Sequence, residues 1–139
     1  MLRYMLDSAF CIDVMRDKYP VLRERFRQER QYMAISSVVL YELRFGAENA
    51  DASAKNLLKL EGFTTRLPVF DFDEDAASHS AHIRADLSKR GCIIGTYDLL
   101  IAGHARAMNL ALITSNMGEF TRVDGLRCED WLAETKDKT

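Results

Sequence analysis

Residues 98–116 read DLLIAGHARAMNLALITSN, and this stretch decides the fold. Positions 98–108 form an apolar helix opened by Asp98, Asn109 suits a left-handed cap, and 110–113 is a short buried strand that ends at Thr114, Ser115 and Asn116. A helix feeding straight into a buried strand with polar residues at its end is the unit of a parallel α/β sheet.

The same alternation runs back to the amino terminus. Residues 3–6 predict a strand ending at Asp7, followed by an apolar helix face through Phe10, Cys11, Ile12, Val14 and Met15 that stops near Pro20. Pro20 suits the first position of a second helix, 21–30, with a basic outer face. Residues 32–35 predict a second strand, and Ser36 or Ser37 a cap for the helix carrying Glu42. Positions 52–63 predict a helix and 67–72 a strand. Asp73 caps a long helix with Glu74 and Asp75 in its first turn, Lys89 and Arg90 in its last, and Gly91 as its stop. The expected fold is an α/β sandwich of three layers, helices on both faces of a mostly parallel sheet, in one domain over 1–134 with a polar tail at 135–139.

A chain of 139 residues, 47% hydrophobic and 29% charged, has the makings of one self-sufficient core and is not a disordered chain. Net charge of -2 gives no overall attraction to nucleic acid, so any such contact needs a local basic patch. Cys11, Cys92 and Cys128 are odd in number, widely spaced and form no CxxC pair, which argues against a disulfide framework or zinc ribbon and for a reducing compartment. With no secretory leader and no run of about 18 apolar residues, the expected location is the cytoplasm, without a membrane partner.

Acids stand out against this background. Asp7 closes the first apolar run, Glu42 lies within Val38-Val39-Leu40-Tyr41-Glu42-Leu43, and Asp98 opens an apolar helix. An ionised carboxylate in such a setting needs a cation or a donor, and three segments each bringing one suggest a shared hard-metal site. In open parallel sheets ligands bind beyond the carboxyl ends of the strands, where Asp7 and Asn116 fall.

Four segments match one family in order and context: Met5-Leu6-Asp7-Ser8, Ile35-Ser36-Ser37-Val38 leading to Glu42, Ile94-Gly95-Thr96-Tyr97-Asp98 running into Ile101 to Arg106, and Thr114-Ser115-Asn116 continuing to Glu119 and Phe120. The chain resembles a PIN domain, and within that family the VapC ribonuclease toxins of type II toxin–antitoxin systems. The resemblance implies Asp7, Glu42 and Asp98 as Mg²⁺ ligands, with Mn²⁺ as a substitute, and Asn116 at the fourth catalytic position, with Glu119 a more distant acid. It also implies an RNA substrate, with tRNA the leading candidate, a VapB-like antitoxin, a homodimer and a larger toxin–antitoxin assembly. Grouped carboxylates raise one another's pKa, so a divalent cation is what keeps them ionised together.

Two positions depart from the family pattern. Ala9 stands where relatives carry Asn, so a hydrogen bond near the acids is expected to be missing, and Ser115 stands where Asn is common. The competing function is a catalytically weakened PIN-like protein that binds antitoxin or RNA. Phosphatase and phosphoacceptor readings are disfavoured, because Ala9 occupies the position of a second Asp and no adjacent acid pair precedes Asp7.

Each residue also has a plainer reading. Asp7 could merely cap the helix after it, Asp98 could be a first-turn helix acid, and Glu42 could pair with Arg44 or Arg106. His79 and His82 read as a surface pair, His104 as a packed, hydrogen-bonded residue, and Arg23, Arg25, Arg27 and Arg30 as a solvated helix face.

Overall fold

The computed structural model describes residues 1–136. Its centre is β1 (Tyr4–Leu6), flanked in parallel by β2 (Met33–Ser36) and β4 (Ala111–Ile113). Two short outer strands, β3 (Val69–Phe70) beside β2 and β5 (Cys128–Glu129) beside β4, complete the order β3-β2-β1-β4-β5. All four strand pairings are parallel. The helices that connect and cover the sheet are α1 (Ser8–Met15), α2 (Pro20–Glu29), α3 (Ser37–Glu48), α4 (Ser53–Thr64), α5 (Glu74–Lys89), α6 (Thr96–Ala107), α7 (Met117–Phe120) and α8 (Trp131–Lys136). The last helix takes in the first two residues of the tail expected at 135–139, and 137–139 lie outside the described residues. No helix among the described residues is long and apolar enough to cross a membrane.

The caps anticipated from sequence form. Asp7 accepts from the Phe10 amide at 2.8 Å, Ser36 from Val38 at 3.1 Å, and Asp73 from Ala76 at 3.0 Å. Gly91 and Asn109 both adopt left-handed φ, at 68° and 56°, ending α5 and α6. Met5, Leu6, Met33, Ile35, Leu112 and Ile113 are fully buried at the middle of the sheet. Strands so covered on both faces read as unbroken apolar runs, as these do.

Two features differ from the sequence expectation. The strand expected at 67–72 contracts to Val69–Phe70: the Leu67 amide already bonds the Thr64 carbonyl, Pro68 has no N–H, and the Phe72 amide turns to the Ser37 hydroxyl at 3.0 Å. The short helix α7 was not anticipated, nor were the strand β5 and the helix α8. The last two are held by Trp131, 1% exposed, whose ring meets Tyr4 and Phe10 edge-on with centroids 5.1 and 5.6 Å away. The Arg25 guanidinium lies 4.1 Å from the Trp131 ring centre and its Nη1 bonds Glu134 at 2.6 Å, so α2 and α8 close over the indole together.

Helices α5 and α6 cross in close contact at Gly103. A Cβ there would come within 2.7 Å of the Ser80 backbone nitrogen and 2.8 Å of its Cα, so only glycine fits. Beside that crossing Arg106 donates from Nε to His79 Nδ1 at 2.9 Å and from Nη1 to the Asp124 carbonyl at 2.9 Å, fastening α6 to α5 and to the following turn. Its Nη2 lies 3.2 Å from His82 Nδ1, so both histidines face an arginine, an arrangement that suits packing rather than metal binding.

Candidate active site

The register of the sheet assembles the site. Leu6 stands opposite Ile113 in the β1–β4 ladder, so Asp7 and Thr114 lie side by side just beyond the strand ends. Asp7 is 4% exposed and doubles as the cap of α1. Burial pushes its carboxyl up from 3.8 to about 6, helped by the charges of Glu42 and Asp13 and opposed by hydrogen bonds from Thr114 and the Phe10 amide.

Glu42 comes from the second turn of α3, half-buried, and accepts a 2.6 Å hydrogen bond from the Ser8 hydroxyl. This contact replaces the arginine pairing considered from sequence. Arg44 instead sits 3.9 Å from Glu48, and Arg106 is engaged by the histidines. The Ser8 donor lies next to Asp7 in the chain, so α1 and α3 bring the two acids to one place.

Asp98 lies in the first turn of α6, where the helix dipole favours a negative charge. Its carboxyl is nevertheless raised from 3.8 to about 7. Burial is the largest cause, followed by a hydrogen bond with Glu119 and the charges of Glu119, Glu42 and Asp7. Gly95 leaves room for this carboxylate, since a Cβ there would sit 3.3 Å from Asp98 Oδ2. Asn116 is exposed at the start of α7; its Nδ2 donates to Glu119 Oε2 at 3.0 Å and its amide to Thr114 Oγ1 at 2.9 Å. Asn116 therefore reaches Asp98 through Glu119, which stands nearer to the acids than the sequence suggested.

Asp7, Glu42 and Asp98 thus act on one another electrostatically, and Glu119 joins them. The donors are all hard oxygens, and each charge hinders ionisation of the next, the chemistry that Mg²⁺ or Mn²⁺ suits. Among the described residues no three of these acids converge into a finished ligand set. They are tied instead into the pairs Ser8–Glu42 and Glu119–Asp98. Two contributors were missed from sequence, Ser8 as the donor to Glu42 and Thr114 as the donor to Asp7. The only signal for Thr114 was a polar residue directly after a buried strand.

A groove of about 290 Å³ opens beside Glu42 between α1, α3 and α4, lined by Ile12, Met15, Leu43 and Leu60 with Arg16 and Lys59 among its walls. Ala9 is exposed on the first turn of α1. His104 is buried and lies 2.7 Å from the Ser36 hydroxyl, and desolvation lowers its pKa, as a packed histidine requires. Of the arginine run, Arg23 bonds Asp17, Arg27 bonds Glu24 and Arg25 bonds Glu134, so these charges are largely compensated locally.

A parallel sheet in this order, with carboxylates gathered past its strand ends, defines the class: the PIN domain family matches residues 4–126, and the chain belongs to it. Within that class it is similar to the VapC proteins. It is 47% identical over 131 residues, 94% of this chain and 99% of the relative, to the tRNA(fMet)-specific endonuclease VapC of Shigella flexneri. It is 39% identical over 132 residues, 95% of this chain and 100% of the relative, to the ribonuclease VapC2 of Haemophilus influenzae. Its fold superposes with a TM-score of 0.91 and 46% identity on a chain of the DNA-bound VapBC crystal structure from Salmonella typhimurium, covering 94% of this chain and 99% of that one.

Proposed function

We propose that the chain is the toxin of a toxin–antitoxin pair, a divalent-metal-dependent endoribonuclease that hydrolyses tRNA in the cytoplasm, with tRNA(fMet) the first candidate substrate. The observation that carries this reading is the mutual electrostatic contact of Asp7, Glu42 and Asp98 past the strand ends, in a chain similar over nearly its full length to named tRNA endonucleases. Asp7, Glu42 and Asp98 would hold Mg²⁺, or Mn²⁺ in its place, and the ion would supply charge neutralisation at the scissile phosphate and acidification of a water.

The remaining work falls to the chain's own groups. Ser8 aims Glu42, and Thr114 with the Phe10 amide fixes the orientation of Asp7. Asn116 orients Glu119, whose contact with Asp98 helps raise the Asp98 carboxyl to about 7. The raised affinity of Asp98 for a proton is the feature that a cation must overcome, and it ties activity to metal concentration and pH.

The apolar groove beside Glu42 suits an antitoxin segment whose basic end would meet the acids, the charge complement of this site. We also propose a homodimer and a larger toxin–antitoxin assembly, the latter supported by similarity to the DNA-bound VapBC structure.

The test is cleavage of a total tRNA pool by purified, antitoxin-free chain with Mg²⁺ or Mn²⁺, beside an EDTA control and Asp98→Asn. Discrete fragments that vanish with EDTA and with the variant support the nuclease. Intact tRNA in every lane, with antitoxin or RNA still bound, would shift the assignment to a binding protein with weakened catalysis.

A further inference from the structure

Two acids of the site are each preceded by a tyrosine, Tyr41 before Glu42 on α3 and Tyr97 before Asp98 on α6. The structure brings these tyrosines together: their hydroxyls lie 3.3 Å apart, and their ring centroids 5.6 Å apart at a tilt of 37°. Both remain open, Tyr41 at 55% and Tyr97 at 44% exposure, although large aromatic side chains gain most from burial. Their places in the chain, each next to one of the acids, put the pair at the rim of the acid cluster.

We propose that Tyr41 and Tyr97 form a stacking platform for the nucleobase next to the scissile phosphate, and so choose which nucleotide of the RNA is cut. This inference rests on the nuclease reading above. Three features favour a base as the occupant. The rim of a site crowded with carboxylates repels phosphate until a cation is bound, whereas a base is neutral and planar. Single-stranded RNA is recognised by splaying bases onto exposed aromatic faces, with tyrosine among the usual partners. The mutual hydroxyl contact also holds the two rings in a fixed relation, so little side-chain freedom is left to lose on binding. A second copy of the chain is the competing occupant of this rim, and the experiment below separates the two.

Stacking acts on the base and not on the phosphate, which separates it from metal chemistry. The experiment compares wild type, Tyr97→Ala, Tyr41→Ala and Tyr97→Phe on the RNA fragment that the intact chain cleaves, and on the same fragment with an abasic residue beside the cut. Each alanine variant should lower kcat/KM on the intact RNA by roughly 5- to 150-fold, the range for losing one base–aromatic stack. On the abasic RNA the same variants should match wild type, and Tyr97→Phe, which keeps the ring but loses the hydroxyl contact, should lose less than Tyr97→Ala on the intact RNA. A 2-aminopurine in the same position should lose its binding-induced quenching with Tyr97→Ala.

Equal losses on intact and abasic RNA would overturn the proposal, as would alanine variants as active as wild type. A change of dimer to monomer on size exclusion with either alanine variant would also overturn it and assign the pair to contact between copies. Wild type and Asp98→Asn run alongside: cleavage that survives in Asp98→Asn is failure of the nuclease reading, and is distinguishable from failure of the stacking platform alone. Thermal melts of the variants guard against misfolding, which exposed side chains are not expected to cause.

Discussion

Replacing Asp7 with Asn is expected to strengthen the fold while it abolishes cleavage. The carboxyl is 4% exposed, and burial lifts its pKa from 3.8 to about 6. A group whose folded pKa is raised contributes stability that is complete below the unfolded value and is lost as pH rises through the folded one. The metal-free chain therefore loses stability through Asp7 between about pH 4 and pH 7. With 1.36 kcal/mol for each tenfold change in proton affinity, the loss reaches roughly 1.5 kcal/mol at pH 5 and roughly 3 kcal/mol at pH 7.5. That is a large share of the ~5–15 kcal/mol that holds a domain together. Asn carries no charge, yet it keeps an acceptor for the Phe10 amide, now bonded at 2.8 Å, so the cap survives. Ala would forfeit the cap, and about 1 kcal/mol of the gain with it. The assay is urea unfolding in EDTA at pH 5 and pH 7.5, with the advantage of Asp7→Asn roughly doubling between them. Saturating Mg²⁺ should narrow the gap, because it binds the folded wild type and not the variant. An advantage independent of pH, or a variant less stable than wild type at pH 7.5, would refute burial as the force acting on Asp7.

Three further outcomes follow from particular contacts. Gly103→Ala drives a Cβ against the Ser80 backbone and should cost ~1–3 kcal/mol in urea unfolding, whereas Gly62→Ala, with nothing within 4 Å, should gain about 0.5–1 kcal/mol. Ser8→Ala removes the 2.6 Å donor to Glu42 and should weaken Mg²⁺ binding by about 10- to 100-fold in calorimetry, with the melting temperature little changed. Trp131→Ala empties the site between Tyr4, Phe10 and Arg25 and should cost ~3–5 kcal/mol, read by circular dichroism because the chain has one tryptophan.

The parts of the fold that were legible in the sequence are those decided locally. The helix from Asp73 to Gly91 announces itself through a capping carboxylate, acids in its first turn, a lysine in its last and a left-handed glycine, each acting within a turn of its own position. The central strands are apolar runs because both faces are covered. By contrast, β5 is two residues long, too short to carry a period, and exists because β4 offers it a ladder, while the strand expected at 67–72 keeps only the two residues that pair with β2. Gly103 looks unexceptional until α5 is laid across it. In the site, the acids were legible as charges in apolar company, but their partners were not: Ser8 and Glu42 are 34 positions apart, and nothing in either segment names the other.

The two readings of Asp7 that the sequence left open, the helix cap that the structure shows and the metal-site acid proposed above, are compatible in one arrangement. The cap occupies Oδ1 through the Phe10 amide, and that bond, with the one from Thr114, fixes the side chain while its charge still acts on Glu42 and Asp98. A shorter side chain without a carboxylate would cap but bring no charge. Glu would bring the charge, but its extra methylene would carry it past the amide it has to meet. The residue is thus constrained by both tasks at once, and the cap supplies the rigidity that a site of mutually repelling carboxylates lacks before a cation arrives. That is also why the site is costly to the metal-free chain: the geometry that aims Asp7 inward is the one that deprives it of water.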